Sequence, residues 1–500
     1  MEYEQQFSNL IYEYLLKRLQ FGYYVYGDIL PTAEVLCREF NVSDHTIWAA
    51  LRRLRAEGYI TMKNGQSTKV IYKQTEQERQ NNLIDFFSER WNAYQDLYEA
   101  AELACMPLMI EGLRRMDEQE KNYIEKLSKR ANADDIILFY CYTLQKIDNP
   151  LLMNLFWEIS LFLGFPFSKS GSPFHYDRRI GQKQFKVLVA LIKAGSWDLL
   201  QQTLIKYQRY YIGETIKYMQ PQIRKVPTEN QILFAWRIYR DRPQICYNLA
   251  SLLLHEIYMG EYRNTEFLPS YEKMAEKYKV SVSTMRRTIR MLNQIGAAKS
   301  INGKGTRVFT IGERCSRPDF TCPVVRRNLS FFIQSFELFF HTYESVSQSF
   351  IQSLDEAERE GLIARFEENQ RTGLCEISIW HYLLFIVKYS HSQAIRQIYG
   401  IIYSLFLWGY PLKASLEEAP ITEQNGELFT ASMIKGLREH DIEHCVSVTK
   451  SYIKKQLPMG TEFLIQSGIK PEDMRLSPSI RLLLLHDEST VYKGLHRVTV

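Results

Sequence analysis

Displaced by 238 residues, the chain matches itself. Leu30-Pro31 falls on Leu268-Pro269, Val42-Ser43 on Val280-Ser281, Thr46 on Thr284, Arg52 on Arg290 and Leu54 on Leu292. Gly58 then falls on Gly296, Asn64-Gly65 on Asn302-Gly303, Thr68 on Thr306 and Val70 on Val308. Upstream, Gly22 meets Gly260 and Tyr24 meets Tyr262. One register holds without a gap, and its matches sit at turn glycines and helix starts, which marks a duplicated folding unit. A weaker echo follows each copy. Leu161–Pro166 resembles Leu405–Pro411, and Ile192-Lys193 resembles Ile434-Lys435 with Asp198 near Asp441, at offsets of 242–245 that imply insertions. The chain therefore reads as small module, larger helical module, then both again. The expected boundaries are 1–75, 76–235, 236–312 and 313–500. Four domains agree with roughly 100–200 residues per domain for a chain of 500.

In the small module, Leu10, Ile11, Tyr14, Leu15 and Leu19 recur at helical spacing, so the first helix is expected over Phe7–Phe21. Pro31 opens a second helix, Thr32–Phe40, where its missing N–H costs nothing. After a turn at Asn41-Val42, Ser43 is the expected N-cap of a third helix through Glu57, and Gly58 ends it. Tyr59–Met62 and Thr68–Tyr72 flank Asn64-Gly65, a strong hairpin signal. Three helices and a hairpin make a winged helix-turn-helix, whose third helix enters the DNA major groove while the hairpin touches the backbone or minor groove. With long aromatic-rich helical patterns between the copies, the fold class is mainly α: two winged helices alternating with two all-α bundles.

The two copies differ in charge. Residues 277–310 hold Lys277, Lys279, Arg286, Arg287, Arg290, Lys299, Lys304 and Arg307 and no acid. The matching window 39–72 sets Arg52, Arg53, Arg55, Lys63 and Lys69 against Glu39, Asp44 and Glu57. Since phosphate neutralisation supplies most non-specific affinity, the second copy is expected to bind DNA more strongly. Arg286 and Arg290 share one helix face, and Arg is the usual bidentate reader of guanine.

Other function classes find little support. A net charge of +5 is too mild to decide anything by itself. Cys37, Cys105, Cys141, Cys246, Cys315, Cys322, Cys375 and Cys445 are scattered without a C-x-x-C, which fits a reducing cytoplasm. The start lacks a signal-peptide pattern, and the most apolar stretches, Leu151–Phe167 and Tyr382–Trp408, are broken by charges, so no membrane partner is expected. There is no nucleophile–base pair, phosphate loop or H-E-x-x-H, so the expectation is not an enzyme and no cofactor. Arg178 and Arg179, after His175-Tyr176-Asp177, are read as surface residues, with a carboxylate or phosphate clamp as the alternative.

The second copy resembles the GntR family of bacterial transcription regulators through Leu268-Pro269-Ser270, Val280-Ser281-Val282-Ser283-Thr284-Met285-Arg286, Gly296 and Gly303-Lys304-Gly305-Thr306. The resemblance implies DNA contacts from Ser270, Val282, Ser283, Thr284, Arg286 and the wing at Gly303–Thr306. Val282 and Glu272 stand where the family often has Arg. In the first copy Asp44, Trp48 and Glu34 occupy such positions, which implies altered specificity or a partly structural role. The helical modules are similar to the FadR-like branch, for example at Asp148-Asn149-Pro150-Leu151-Leu152. That likeness implies dimerisation and an apolar pocket for a small-molecule effector. The branch often binds a divalent metal, and its ligand positions fall on Ile136, Tyr140, Gln184 and Tyr207, none of them a usual metal donor, so no metal is expected. In the second bundle, Trp380-His381 resembles the first histidine position of that one-Asp, three-His set, but the spacing to later landmarks does not hold, so no metal is expected there either.

The reading that follows is a cytoplasmic, sequence-specific regulator of double-stranded DNA, a homodimer or a monomeric pseudo-dimer with two unequal heads on an asymmetric operator. The candidate contacts are Ser270, Ser281, Ser283, Thr284, Arg286, Arg287, Arg290, Lys304, Thr306 and Arg307 in the second head. In the first they are Thr32, Ser43, His45, Thr46, Arg52 and Arg53. The alternative is an architectural or protein-interaction module: only the second winged helix binds DNA, and the first docks a protein through Trp48.

Overall fold

The computed structural model describes residues 2–40, 42–63, 65–131, 133–167, 178–238, 244–313, 315–414 and 419–476. These fall into two compact units, one on each side of residues 239–243. Asn41, Asn64 and His175-Tyr176-Asp177 lie outside the described residues.

The first unit opens with α1 (Glu2–Gln20), α2 (Ala33–Phe40), α3 (Asp44–Ala56), β1 (Ile60–Thr61) and β2 (Lys69–Val70). Ile11, Leu15 and Leu19 of α1 are buried with Leu36 and Phe40 of α2 and Ile47, Leu51 and Leu54 of α3, so the helical spacing became a three-helix core. The strands pair antiparallel, Ile60 with Val70 and Thr61 with Lys69. They are shorter than the two apolar runs that flank the turn. Next come α4 (Glu76–Ser88), α5 (Trp91–Arg114), α6 (Glu118–Arg130), α7 (Ala133–Gln145), α8 (Pro150–Phe162), α9 (Arg178–Ala194) and α10 (Trp197–Met219). Gly112 lets α5 lie against α7, because a Cβ there would meet the Thr143 carbonyl.

The second unit repeats the plan with α11 (Gln244–Tyr258), α12 (Tyr271–Lys277), α13 (Val282–Ile295), β3 (Ala298–Ile301) and β4 (Gly305–Val308). Its bundle is α14 (Pro323–Ser353), α15 (Glu356–Thr372), α16 (Ser378–Tyr389), α17 (Gln393–Phe406), α18 (Tyr410–Ala414), α19 (Ala419–Arg438) and α20 (Ile442–Gln466). The 238-residue register persists in the backbone: Ala298 pairs with Val308 and Lys299 with Arg307. A third edge is added identically, as bridges Ile29–Lys69 and Phe267–Arg307. Gly58 and Gly296 close α3 and α13 at φ 81° and 89°, a left-handed turn that disfavours side chains.

The same register reaches the bundles. Asp117 and Glu120 form a capping box on α6, and Asp355 and Glu358 form the same box on α15. Asn149 and Ser392, 243 apart, then cap α8 and α17. α15 has 17 residues against 13 in α6, which supplies most of that drift.

The unit boundary differs from the sequence expectation of 235/236. Residues 223–238 are mostly extended and return to the first unit. The Arg224 amide donates to Ser88 Oγ at 2.9 Å, and Trp236 Nε1 donates to Asn154 Oδ1 at 2.8 Å. Phe234, Trp236 and Ile238 are all buried there. Among the described residues no helix is long and apolar enough to cross a membrane.

Candidate nucleic-acid interface

The start of α13 is built for exposure. Ser281 Oγ accepts from the Thr284 amide at 3.1 Å, satisfying one of the free N–H groups of the first turn. Val282 then leads into a helix whose Met285, Ile289, Leu292 and Ile295 are buried, leaving Ser283, Arg286, Arg287 and Arg290 exposed. Ser270 caps α12 by accepting from the Lys273 amide at 3.4 Å. Lys304 is exposed at the wing tip. Lys273, Lys279 and Lys299 are exposed as well, so residues 271–310 present seven exposed cations besides Lys277, which is exposed but paired with Glu261. Lys273 was legible from the helical period of α12, which buries Met274 and Ala275 on the opposite side.

Two residues of this copy are otherwise engaged. Thr306 is 4% exposed, with its hydroxyl 3.5 Å from Tyr271 OH. Arg307 lies within 3.8 Å of Glu266 and 3.5 Å of Glu313, so both carboxylates compete with any phosphate.

In the first copy only one of those seven cations survives. Positions 35, 41, 48, 49, 52, 61 and 66 hold Val, Asn, Trp, Ala, Arg, Thr and Gln. Arg52 and His45 are exposed. Thr32 caps α2, accepting from the Val35 amide at 3.3 Å. Ser43 is the N-cap of α3, but its hydroxyl makes no cap bond to the backbone and instead meets Thr46 Oγ1 at 2.9 Å. Thr46 is 4% exposed. Arg53 is held against α1: it donates to Asn9 at 3.1 Å and Glu57 at 3.0 Å and lies 3.7 Å over the Tyr12 ring. Asp44 accepts from Cys37 Sγ at 2.9 Å; burial first, then that carboxylate, push the thiol up to about 11. Trp48 is 42% exposed, and Val25, Tyr26, Ile29 and Ile71 are exposed too, where the second copy has Arg286, Arg263, Asn264, Phe267 and Phe309.

The first bundle holds a partly open cavity of about 230 Å³. Its walls include Tyr98, Phe139, Phe156 and Phe185, and no charged residue is among the described lining. Ile136, Tyr140, Gln184 and Tyr207, the positions that the family resemblance maps as metal ligands, all line it. An alkyl, two phenols and an amide do not make a divalent-cation site. Among the described residues, no cluster of three or more His, Cys, Asp or Glu is placed to hold a metal. Sequence reasoning found the four substitutions but not that they share a cavity. Their spacing across α7, α9 and α10 shows this only once the helices are packed. Arg179 is exposed, and the side chain of Arg178 lies outside the description.

The description "Bacterial regulatory proteins, gntR family" matches at residues 7–70 and again at 247–308. No curated protein matches. Solved structures that resemble the chain include Streptococcus agalactiae GntR, 19% identical over 43% of this chain and 99% of that one, with a TM-score of 0.20. E. coli McbR/YncC is 16% identical over 44% and 97%, with a TM-score of 0.25. A third, titled "Lar controls the expression of the Listeria monocytogenes agr system and mediates virulence", is 19% identical over 44% and 96%, with a TM-score of 0.21. Scores this low leave the assignment resting on the two matched segments.

Proposed function

The chain belongs to the GntR family through both of its DNA-binding winged helices, and from that premise we propose that it is a transcription regulator whose two heads read one asymmetric operator unequally. The observation that carries this reading is that the exposed Arg286, Arg287, Arg290 and Lys304 of the second head correspond to Trp48, Ala49, Arg52 and Gln66 at the matched positions of the first, so only one of the four keeps its cation. Arg286 and Arg290 read base edges in the major groove; Arg287 and Lys304 hold phosphates. In the first head Arg52 and His45 supply a weaker contact. Both heads lie in one chain, so a monomer acts as a pseudo-dimer. The protein works by binding rather than turnover, and the cavity between α5 and α10 takes a small effector that alters the affinity for DNA.

The test is a titration of the full chain on a selected duplex across salt concentrations. Arg286→Ala is expected to relax selectivity at one base pair and cost about 1–3 kcal/mol. Lys304→Ala is expected to weaken all duplexes alike and lower the salt slope by about one. Binding that is uniformly non-specific in the unaltered chain would refute the reading.

A second reading has its own observation. The exposed Trp48 with Val25, Tyr26, Ile29 and Ile71 is an apolar surface where the second head is polar or cationic at three of five positions. Exposed aromatic anchors suit a protein partner, and in that case only the second head binds DNA. Unchanged selectivity on replacing both His45 and Arg52 would favour it.

A further inference from the structure

We infer that the cavity of the first bundle receives a neutral aromatic molecule of about nine non-hydrogen atoms carrying one N–H or O–H donor. This deepens the effector reading above and rests on it.

Size comes first. A dry apolar cavity of about 150 Å³ accepts benzene. A cavity of about 230 Å³ therefore holds a bicyclic ring by simple proportion. Shape and polarity follow from the walls. Tyr98, Phe139, Tyr140, Phe156, Phe185 and Tyr207 supply ring faces and edges that suit a flat partner.

Charge excludes the alternatives. No described lining residue is charged at neutral pH. Burial pushes the Tyr140 phenol and the Cys105 thiol both up to about 12, so neither supplies an anion. A carboxylate or ammonium ligand would shed its water and find no counter-charge among the described lining residues. A metal to bridge a carboxylate has no donor set at Ile136, Tyr140, Gln184 and Tyr207.

Among the polar groups of the wall, Gln184 stands out. Gln184 Oε1 is buried in the lining and has no hydrogen-bond partner among the described residues. A buried acceptor left unmatched is costly, and a donor on the ligand satisfies it. This sets one polar requirement and the end of the ligand that faces α9.

The test uses the full chain and three probes in calorimetric titrations: indole, 1-methylindole and indole-3-acetate. Indole is expected to bind, 1-methylindole about tenfold more weakly because it lacks the donor, and indole-3-acetate not measurably. Gln184→Leu is expected to erase the difference between indole and 1-methylindole while both still bind. Ile136→Trp, which fills the cavity, is expected to abolish indole binding, with a melting curve confirming the fold. The inference is overturned if no probe binds, if indole-3-acetate binds as well as indole or needs added Zn²⁺, or if Gln184→Leu leaves the preference unchanged. The effector role is judged separately by DNA affinity. Indole that binds as expected but leaves that affinity unchanged would support the site and refute its regulatory use. A charged ligand that binds the cavity and shifts DNA affinity would do the reverse.

Discussion

At positions 18 and 39 the first winged helix carries Arg and Glu; at the matching 256 and 277 the second carries Glu and Lys. Around the first pair, Arg18 is buried 3.9 Å over Tyr23 and 4.5 Å over Tyr14, while Glu39 lies in its field. In the second, Lys277 pairs with Glu261 and donates to Tyr262 OH at 3.2 Å, and Glu256 accepts from the Glu261 amide at 2.8 Å. The signs are exchanged between the helices while Tyr24 and Tyr262, matched by the repeat, stay in place. The pair is buried around Arg18 in the first head and sits at the surface around Lys277 in the second, yet one cation and one carboxylate are kept in both. Elsewhere on the surface the positions are not kept: of seven exposed cations of the second head only Arg290 is matched by one, Arg52, while Arg38, Arg55 and Lys63 are exposed in the first head where the second has Glu276, Asn293 and Ile301. That contrast supports the proposal that the outward cations of the second head serve recognition.

The largest effect should come from breaking the interior balance. Arg18→Glu places a second carboxylate beside Glu39 and is expected to cost about 3–5 kcal/mol, read from denaturant unfolding. The double exchange Arg18→Glu with Glu39→Lys, which installs the second head's pattern, should recover most of it; no recovery would end the compensation argument.

Next in size is the outer face. Arg286→Ala with Arg290→Ala is expected to weaken binding to the selected operator by about 2–4 kcal/mol, whereas Arg52→Ala should cost less than about 1. Equal losses would erase the difference between the heads.

Glu39 gives a pH dependence of about 2–3 kcal/mol at most. Burial raises its carboxyl from 4.5 to about 7, with Arg18 acting in the opposite sense. The folded state therefore keeps a proton that the unfolded chain releases. This contribution is complete below about pH 4.5 and is lost as pH rises through about 7. Amide exchange in α1 and α2, corrected for intrinsic rates, should accelerate from pH 5 to pH 8, and Glu39→Gln should flatten the profile.

The smallest expected effect is a gain. Trp48→Arg restores a cation at the position of Arg286 and should tighten DNA binding by about 1 kcal/mol, measured by anisotropy. No gain, together with loss of a bound protein, would support the docking reading.

Much of the fold was legible because the repeat reports on backbone. Equal spacing of Pro31, Ser43, Gly58 and Gly65 with Pro269, Ser281, Gly296 and Gly303 carries the helix starts, stops and hairpin register directly. What the sequence hid depends on which partners the folded chain brings to each side chain. Arg53 and Arg307 read as DNA contacts from their charge. Asn9 and Glu57 in one head, and Glu266 and Glu313 in the other, engage them. Thr46 and Thr306 have the chemistry of groove contacts but lie on buried faces. Ser43 and Ser281 are identical in sequence, yet only Ser281 caps its helix through the backbone. The return of residues 223–238 depends on Asn154 and Ser88, which no local pattern links to Trp236.

The most direct test of the central claim, two unequal heads in one chain, is selection of randomised duplex DNA by the full-length protein near physiological salt, with sequencing of the bound pool. The account predicts two different half-sites at a fixed spacing, the more sharply defined of which disappears when Arg286 and Arg290 are replaced by Ala. Two identical half-sites, or a motif that survives that replacement unchanged, would contradict it.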